Sequence, residues 1–232
     1  MPRLVIAIDG PSGVGKGTVA RAVARHLGYR HVDTGAMYRA VAWRALHEGT
    51  SLDDETAMAA LADRAVIDVG GGRVVVDGHD VTLAIRTPEI DRATTRVARL
   101  PAVRARLVAR QRAIGVGGGI VMEGRDIGTV VFPEADLKVY LDASPEERAR
   151  RRANDPAHTG HDAALSTVAS EMQARDRSDA TRAVSPLMCA PDAVRIDTTA
   201  IPADEVVRQV CALAEQALAG RDPSPGLSSP VR

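Results

Sequence analysis

Lysine and cysteine are both scarce in this chain of 232 residues. Lys16 and Lys138 are the only lysines among 30 basic residues, so arginine carries almost all the positive charge and a single arginine is weak evidence for a site. Cys189 and Cys211 lack the CxxC spacing and the neighbouring histidines of a structural zinc site. They also offer no disulfide framework, and we therefore expect a protein of the reducing cytoplasm.

Net charge and long apolar runs are lacking as well. The formal net charge is zero, so the whole chain is not expected to bind nucleic acid or a membrane surface. No stretch approaches the roughly 18 consecutive apolar residues of a transmembrane helix. The apolar N-terminal run leads directly into a glycine-rich turn, which is typical of a first strand and not of a signal peptide. With no heptad stripe either, we expect a monomer.

Alternating strand-like and helix-like segments predict an α/β fold. Residues 4–8 form an apolar run rich in β-branched side chains, and residues 16–27 carry an apolar stripe at helical spacing. A strand, a glycine turn, a helix and a second strand are the opening of a doubly wound parallel sheet. Similar patterns predict strands at 31–33, 119–123, 137–142 and 193–197, and helices at 36–47, 101–114, 163–177, 202–219 and from Pro145, after a Ser144 cap.

The pattern changes between about residues 61 and 98. Three short alternating runs, separated by GGG and DGHD, predict a small antiparallel sheet inserted into the α/β chain. The runs are residues 66–69, 73–77 and 80–83. After Gly220 the sequence is rich in proline, serine and glycine, so we expect one domain over residues 1–219 and a disordered tail over residues 220–232.

The most specific motif is GPSGVGKGT, which has the GxxxxGK spacing of a phosphate-binding loop between a predicted strand and a predicted helix. Its glycines let backbone N–H groups point inward, and Lys16 reaches the β- and γ-phosphates of a nucleoside triphosphate. Gly17 replaces the usual Ser or Thr after the lysine, so we assign no direct metal ligand and expect Thr18 near Mg²⁺. The predicted ATP-binding residues are Gly10, Pro11, Ser12, Gly13, Val14, Gly15, Lys16, Gly17 and Thr18.

Three polar clusters indicate where a second, anionic substrate would bind. Residues 33–39 (DTGAMYR) group a hydroxyl, an aromatic ring and an arginine, although Thr34 could simply cap a helix. Residues 123–129 (EGRDIGT) hold an Arg-Asp pair, which could otherwise be a salt bridge in a surface turn. Residues 175–182 (RDRSDATR) hold three arginines, which fit either a solvated helix end or a mobile segment that neutralises phosphoryl charge and excludes water.

Together, GPSGVGKGT, DTGAMYR, EGRDIGTVVFP and RDRSDATRAVSPL resemble the bacterial cytidylate kinases, in this order and over about residues 1–219. The resemblance implies a P-loop kinase fold, in which the antiparallel insertion is a CMP-binding region and residues 154–182 form an arginine-bearing lid. It also implies Mg²⁺-dependent transfer of the ATP γ-phosphoryl group to CMP or dCMP. The acceptor is already an anion, so positioning and charge neutralisation would suffice without a general base.

The resemblance implies a role for each matching residue. The CMP phosphate would lie near Thr34, Tyr38, Arg39, Arg125 and Arg182, the ribose near Arg175 and Asp179, and the cytosine near Thr95, Arg104 and Asp126. The catalytic residues would be Lys16, Arg125, Arg175 and Arg182. Thr34 and Thr95 stand where serine is frequent in the family, and both keep the hydroxyl. Glu123 replaces a frequent aspartate and receives no role.

Two other classes of function compete with this interpretation. One is a different small P-loop kinase, acting on UMP, shikimate or dephospho-coenzyme A; the insertion and the arginine-bearing lid favour a nucleotide acceptor instead. The other is a switch protein that hydrolyses a nucleoside triphosphate slowly. A GTP-specific switch would carry an Asn-Lys-x-Asp stretch, which this sequence lacks.

Overall fold

Strands and helices alternate along most of the chain in the computed structural model, which describes residues 3–155 and 164–220. The strands are β1 (Val5–Asp9), β2 (Arg30–Asp33), β3 (Ile67–Gly70), β4 (Arg73–Val76), β5 (His79–Asp80), β6 (Ile120–Gly124), β7 (Leu137–Asp142) and β8 (Val194–Asp197). The α-helices are α1 (Lys16–Leu27), α2 (Thr34–Glu48), α3 (Glu55–Arg64), α4 (Pro88–Val97), α5 (Pro101–Ile114), α6 (Pro145–Ala153), α7 (Leu165–Ala180) and α8 (Ala203–Ala219).

A five-stranded parallel sheet forms the centre of the fold, in the order β2-β6-β1-β7-β8. Successive side chains of a strand point to opposite faces, and both faces of this sheet are covered by helices. On β1, Ala7 packs into a core with α2 and α5, whereas Ile6 and Ile8 pack into a second core with α1 and α8. The predicted α/β fold with a P-loop-type parallel sheet is therefore confirmed.

The predicted antiparallel insertion is also present, as the three-stranded sheet β3-β4-β5. Its second and third strands end earlier than predicted, and the third covers only His79–Asp80. A 3₁₀ turn at Ala84–Arg86 and then α4 follow, where the sequence pattern predicted no helix. The second half of the insertion is thus helical.

Capping side chains explain where several helices begin. Asp33 accepts a hydrogen bond from the backbone N–H of Ala36 at the start of α2, and Asp54 caps the unpredicted helix α3 in the same way. Thr87 caps α4, whose first residue is Pro88. The predicted Ser144 cap of α6 is confirmed, since its hydroxyl accepts from the N–H of Glu147.

In the described part of the chain, no helix is both long enough and apolar enough to cross a bilayer. Helix α8 ends at Ala219, and Gly220 is the last described residue, so the rest of the predicted tail lies outside the described residues. Residues 156–163, near the start of the predicted lid, also lie outside them.

Leu61 of α3 tests whether this unpredicted helix contributes to the core. Its side chain is fully buried, so Leu61→Ala should lower the free energy of unfolding by about 2–5 kcal/mol. Leu83→Ala is a matched control, because Leu83 is 76% exposed and its loss should cost no more than about 0.5 kcal/mol. Urea denaturation at equilibrium measures both. Equal costs would show that α3 does not pack as described.

Candidate active site

The phosphate-binding loop lies between β1 and α1, at the carboxyl edge of the sheet. Gly13 and Gly15 have φ angles of 81° and 90°, a left-handed conformation that glycine adopts without strain. At Gly10 a Cβ atom would lie 2.1 Å from the carbonyl oxygen of Leu141 on β7. These positions therefore require glycine for the loop to turn tightly beside the neighbouring strand.

Lys16 is buried at the base of this loop, where its ammonium group donates a hydrogen bond of 2.5 Å to the carbonyl oxygen of Pro11. Burial, together with the nearby Arg125, lowers the pKa of Lys16 to about 7, although Glu123 and Asp9 act in the opposite direction. A positive charge on Lys16 is thus costly until an anion accompanies it, which suits a group that binds phosphate.

Three residues with carboxylate side chains lie at the carboxyl ends of neighbouring strands, at the same edge of the sheet. In the strand register, Asp33 of β2 lies opposite Glu123 of β6, and Asp9 of β1 lies opposite Gly124. Glu123 and Asp9 are buried. Parallel strands bring their carboxyl ends together, so the sheet itself gathers these side chains around Lys16.

Asp9 links the phosphate-binding strand to the segment after β6. Its carboxylate accepts hydrogen bonds from the backbone N–H groups of Ile127 (2.8 Å) and Gly128 (2.7 Å), which open a π-helical turn at Ile127–Val131. Burial raises the pKa of Asp9 to about 6, even though the two N–H groups favour the ionised form. The carboxyl end of β1 is therefore held to the segment after β6 through two main-chain N–H groups.

Glu123 contacts His31, whose Nε2 lies 2.8 Å from a carboxylate oxygen of Glu123. Burial and the neighbouring Asp33 raise the pKa of Glu123, against the opposing effects of His31 and Lys16. A Cβ atom at Gly17 would lie 3.4 Å from this carboxylate, so Glu123 faces the start of α1. His31 is itself mostly buried, since only 13% of its side chain is exposed.

Thr34 and Tyr38 of α2 face the interior beside the end of β6. Asp33 and not Thr34 caps the helix, and the Thr34 hydroxyl donates a hydrogen bond of 2.7 Å to the carbonyl oxygen of Glu123. The Tyr38 hydroxyl is buried without a partner among the described residues. Burial raises the pKa of Tyr38 to about 12, so this hydroxyl stays protonated and is a free donor.

Arg104 and Asp126 form a buried ion pair. Arg104 is 2% exposed, and its guanidinium group contacts Asp126, donates to the carbonyl oxygen of Ala98 and lies over the ring of Tyr38. Its Nε is buried without a partner among the described residues. Two of the residues predicted to read a base are thus neighbours, although they lie 22 positions apart in sequence.

The polar segment at the end of α7 supplies two further residues. Arg125 donates to Asp179 over 3.0 Å, and Arg182 lies 3.8 Å from the other oxygen of Asp179. Burial alone would raise the pKa of Asp179, but the surrounding arginines, Arg125 first, hold it below its usual value. Two nitrogens of the Arg182 guanidinium group, Nε and Nη2, are buried without partners in the described structure.

These contacts decide between the alternatives that the sequence left open. Arg125 and Asp126 do not form a turn salt bridge, because each pairs with a different distant residue. Of the three arginines in residues 175–182, Arg182 is buried and Arg175 is mostly buried, so the segment is not simply a solvated helix end. Only Arg177 is exposed.

Asp91 of α4 brings two more of the predicted residues together. Its carboxylate contacts Arg39 and Arg175, at 2.5 and 3.2 Å, and also Arg152 of α6. Thr95 lies one turn further along α4, where its hydroxyl donates to the carbonyl oxygen of Asp91. The predicted residues from α2, α4 and α7 therefore come together at Asp91.

Sequence reasoning missed four residues of this site: Asp91, Glu123, Arg148 and Arg152. Arg148 donates to the carbonyl oxygen of Ser12 in the phosphate-binding loop and pairs with Asp176. Arg148 and Arg152 belong to the basic run of α6, where a four-residue spacing on one helical face was the available signal. Thr18 is exposed on α1, and its expected place near a metal ion stays a prediction.

Comparisons with known proteins agree on one family. A family model described as cytidylate kinase matches residues 6–216. A cytidylate kinase from Pelotomaculum thermopropionicum is 50% identical over 212 residues, which cover 89% of this chain and 94% of that protein. One from Solibacter usitatus is 47% identical, over 95% of this chain and 96% of that protein.

A solved structure of a gluconokinase from Sinorhizobium meliloti is similar in fold, with a TM-score of 0.51. It covers 96% of this chain and 98% of that one. At 19% identity this similarity supports the α/β kinase fold alone.

The two lysines of the chain give a test of the site by opposite effects. Lys16→Ala should lower kcat about a hundredfold or more, because the charge is worth most on the transferring phosphoryl group. Its melting temperature should not fall, because a lysine whose pKa is lowered by burial costs folding free energy near neutral pH.

Lys138→Ala is the matched control. Lys138 donates to both carboxylate oxygens of Asp192, at 2.9 and 2.7 Å. This variant should melt earlier and keep its kcat. A Lys16→Ala enzyme with kcat within a few-fold of the wild type would contradict the role of Lys16.

Proposed function

The chain belongs to the cytidylate kinase family, and we propose that it transfers the γ-phosphoryl group of ATP to the phosphate of CMP or dCMP through the residues described above. The observation that carries this proposal is a site with two halves at one edge of the sheet. One half is the glycine loop with the buried Lys16. The other is a pocket of arginines in which Tyr38 and Arg182 present donors without partners among the described residues.

The two halves of the site interact electrostatically. Arg125 belongs to the acceptor half, yet it is near enough to Lys16 to lower the pKa of that lysine. In phosphoryl transfer, charge spreads over the equatorial oxygens of the transferring group, and cations on both sides stabilise it. We infer that Lys16 and Arg125 do this at the centre of the reaction, with Arg175 and Arg182 closing from α7 and its end.

Positioning accounts for the remaining chemistry. The phosphate of CMP is an anion near neutral pH, so its oxygen can attack in line without losing a proton. Thr34, Tyr38 and Arg39 would hold that phosphate, because they line α2 beside the end of β6. Asp179, which stays ionised among its arginines, would orient Arg125 and approach the ribose.

Mg²⁺ fits the carboxylate side of this site. Among the described residues, no group of three or more metal-ligating side chains could hold an ion unaided. Kinases hold Mg²⁺ by one or two carboxylates, water and the substrate phosphates, and the buried Glu123 and Asp33 beside Lys16 are suited to that. Thr18 would lie nearby. The ion would neutralise the β- and γ-phosphates of ATP.

The base of the acceptor is read by the Arg104–Asp126 pair. Cytosine presents an N4 amino donor and acceptors at O2 and N3, so Asp126 can accept from N4 while Arg104 donates to the ring, assisted by Thr95. Uracil presents an acceptor at O4 and a donor at N3. The O4 acceptor would face the carboxylate of Asp126, which is also an acceptor, and the N3 donor would face the guanidinium group of Arg104, which is also a donor. Since buried unpaired groups cost about 1–3 kcal/mol each, CMP is favoured.

We also propose that the enzyme acts as a monomer in the cytoplasm. Its two free thiols, Cys189 and Cys211, support the cytoplasm, and the lack of a heptad stripe in the sequence supports a monomer.

An acceptor panel tests the proposed function. With ATP and Mg²⁺ held constant, CMP and dCMP should be phosphorylated, UMP roughly ten- to ten-thousandfold less efficiently in kcat/KM, and shikimate or dephospho-coenzyme A not at all. A coupled assay for ADP, run with and without each acceptor, measures this. ADP release that does not depend on an acceptor would instead indicate a nucleotide-hydrolysing protein.

Asp126→Asn tests the reading of the base. The amide keeps the size of the side chain and one oxygen for Arg104, which avoids leaving a buried arginine unpaired. Because the amide adds a donor, kcat/KM for CMP should fall while that for UMP falls less or rises, so that the CMP/UMP ratio narrows about tenfold or more.

The control for this substitution is Asp63→Asn, which removes a carboxylate from an exposed pair with Arg106. It should leave the ratio unchanged. An unchanged ratio in Asp126→Asn would show that Asp126 does not read the base, whatever its effect on stability.

A further inference from the structure

One carboxylate, that of Asp91, is shared by three arginines from three different helices. Arg39 of α2 and Arg175 of α7 reach the same oxygen, Oδ1, at 2.5 and 3.2 Å. Arg152 of α6 reaches the other oxygen, Oδ2. Asp91 itself lies in the first turn of α4, on the acceptor side of the site.

The three arginines make few contacts with this carboxylate, and Arg39 is only partly satisfied by it. Each donates to Asp91 through a single nitrogen, whereas a guanidinium group can make two parallel bonds to one carboxylate or phosphate. The Nε of Arg39 is buried without a partner among the described residues. Burial, with Arg39 and Arg125 as neighbours, lowers the pKa of Arg175 to about 10. The charged form of Arg175 is therefore less stable here than it is in water.

A phosphate group would satisfy these donors better than Asp91 does. A phosphate carries up to two negative charges and three terminal oxygens, and it accepts bidentate bonds from arginine. Arg39 and Arg175 are also two of the residues proposed above to bind CMP. The carboxylate of Asp91 and the substrate would therefore compete for contacts with the same guanidinium groups.

Asp91 is accessible enough for this exchange to take place. Its side chain is 17% exposed, and those of its three arginines are 15–18% exposed, so the cluster borders the open part of the site. It also joins α4 to α6 and α7, the two helices on either side of residues 156–163. A ligand that replaced the carboxylate would loosen α4 from both helices at once.

We propose that Asp91 is a positioning residue that competes with the substrate phosphate for the same arginines. Asp91 holds Arg39, Arg152 and Arg175 together in the free protein, and the phosphate replaces its carboxylate when it binds. This inference rests on the proposed function for the identity of the substrate. Asp91 keeps the arginines in the place where the phosphate needs them, and it weakens phosphate binding by the strength of the contacts that must be broken.

The test compares phosphate binding by the wild type and Asp91→Asn. The probe is inorganic phosphate, titrated into the full chain in chloride buffer at constant ionic strength, and binding is measured from the rise in melting temperature with concentration. Asp91→Asn should melt earlier without phosphate. It should also bind phosphate roughly three- to tenfold more tightly, the scale of one partly exposed ion pair.

Two variants serve as controls. Asp53→Asn removes the carboxylate that pairs with Arg96, another arginine of α4, at 2.5 Å on the exposed side of the helix, and it should leave phosphate affinity unchanged. Asp91→Glu keeps the competing charge and should bind phosphate no more tightly than the wild type. A purely structural carboxylate would lower the melting temperature of Asp91→Asn with no gain in phosphate affinity, and that result overturns the proposal, as does weaker binding.

Failure of Asp91→Asn to fold would not end the test. Refolding in phosphate should then restore the native state, because the anion takes the place of the lost carboxylate. No recovery at any phosphate concentration would overturn the proposal. The acceptor panel on the wild type remains a separate measurement, so tight phosphate binding by the variant without CMP turnover by the wild type would contradict the proposed function and leave this inference standing.

Discussion

A guanidinium group withdrawn from water needs an anion beside it, and this protein buries several of them around one edge of its sheet. The anions are few: Asp126 for Arg104, Asp179 for Arg125 and Arg182, and Asp91 for three more. Arg39 and Arg182, which share their carboxylates with other arginines, have donors without hydrogen-bond partners in the described structure, as do Tyr38 and Arg104. An anionic substrate completes a charge balance that the protein leaves incomplete.

The parallel sheet places this imbalance where it is useful. Because the register sets Asp33 opposite Glu123 and Asp9 opposite Gly124, the strands end level, and the loops after β1, β2 and β6 meet at one edge. Carboxylates collect around Lys16, on the side where the proposed Mg²⁺ would accompany the triphosphate. Arginines collect on the side of α2 and α7, where we propose that the acceptor binds. The carboxylates thus suit a cation, and the arginines suit an anionic acceptor.

The features predicted correctly from the sequence are those that short, contiguous patterns of residues determine. The phosphate-binding loop was predicted because its glycines and lysine are contiguous, and the α/β sheet because β-branched runs alternate with helical stripes. Helix α4 was missed even though Thr87 and Pro88 give the same cap-and-proline signal that placed α6 correctly. The alternating pattern of the preceding strands was extended too far, and an available cap was overlooked.

Other features of the site have no local signal at all. The arginines that contact Asp91 lie 52, 61 and 84 positions away, so a lone aspartate in a helix gave no hint of them. The same holds for Glu123 and His31, 92 positions apart. Such pairs arise from the fold, and only motifs that resemble a known family indicated in advance which distant residues would meet.

The bond from Asp9 to the π-helical turn limits how such an enzyme can be redesigned. A change of acceptor would naturally be attempted at residues 125 and 126, whose side chains we propose to face the substrate and whose replacement leaves the main chain untouched. Residues 127 and 128 are different, because their N–H groups hold the strand that carries the phosphate-binding loop. Proline, which lacks this hydrogen, is excluded at both positions. A redesign of the acceptor site therefore has to keep both of these backbone N–H groups in place.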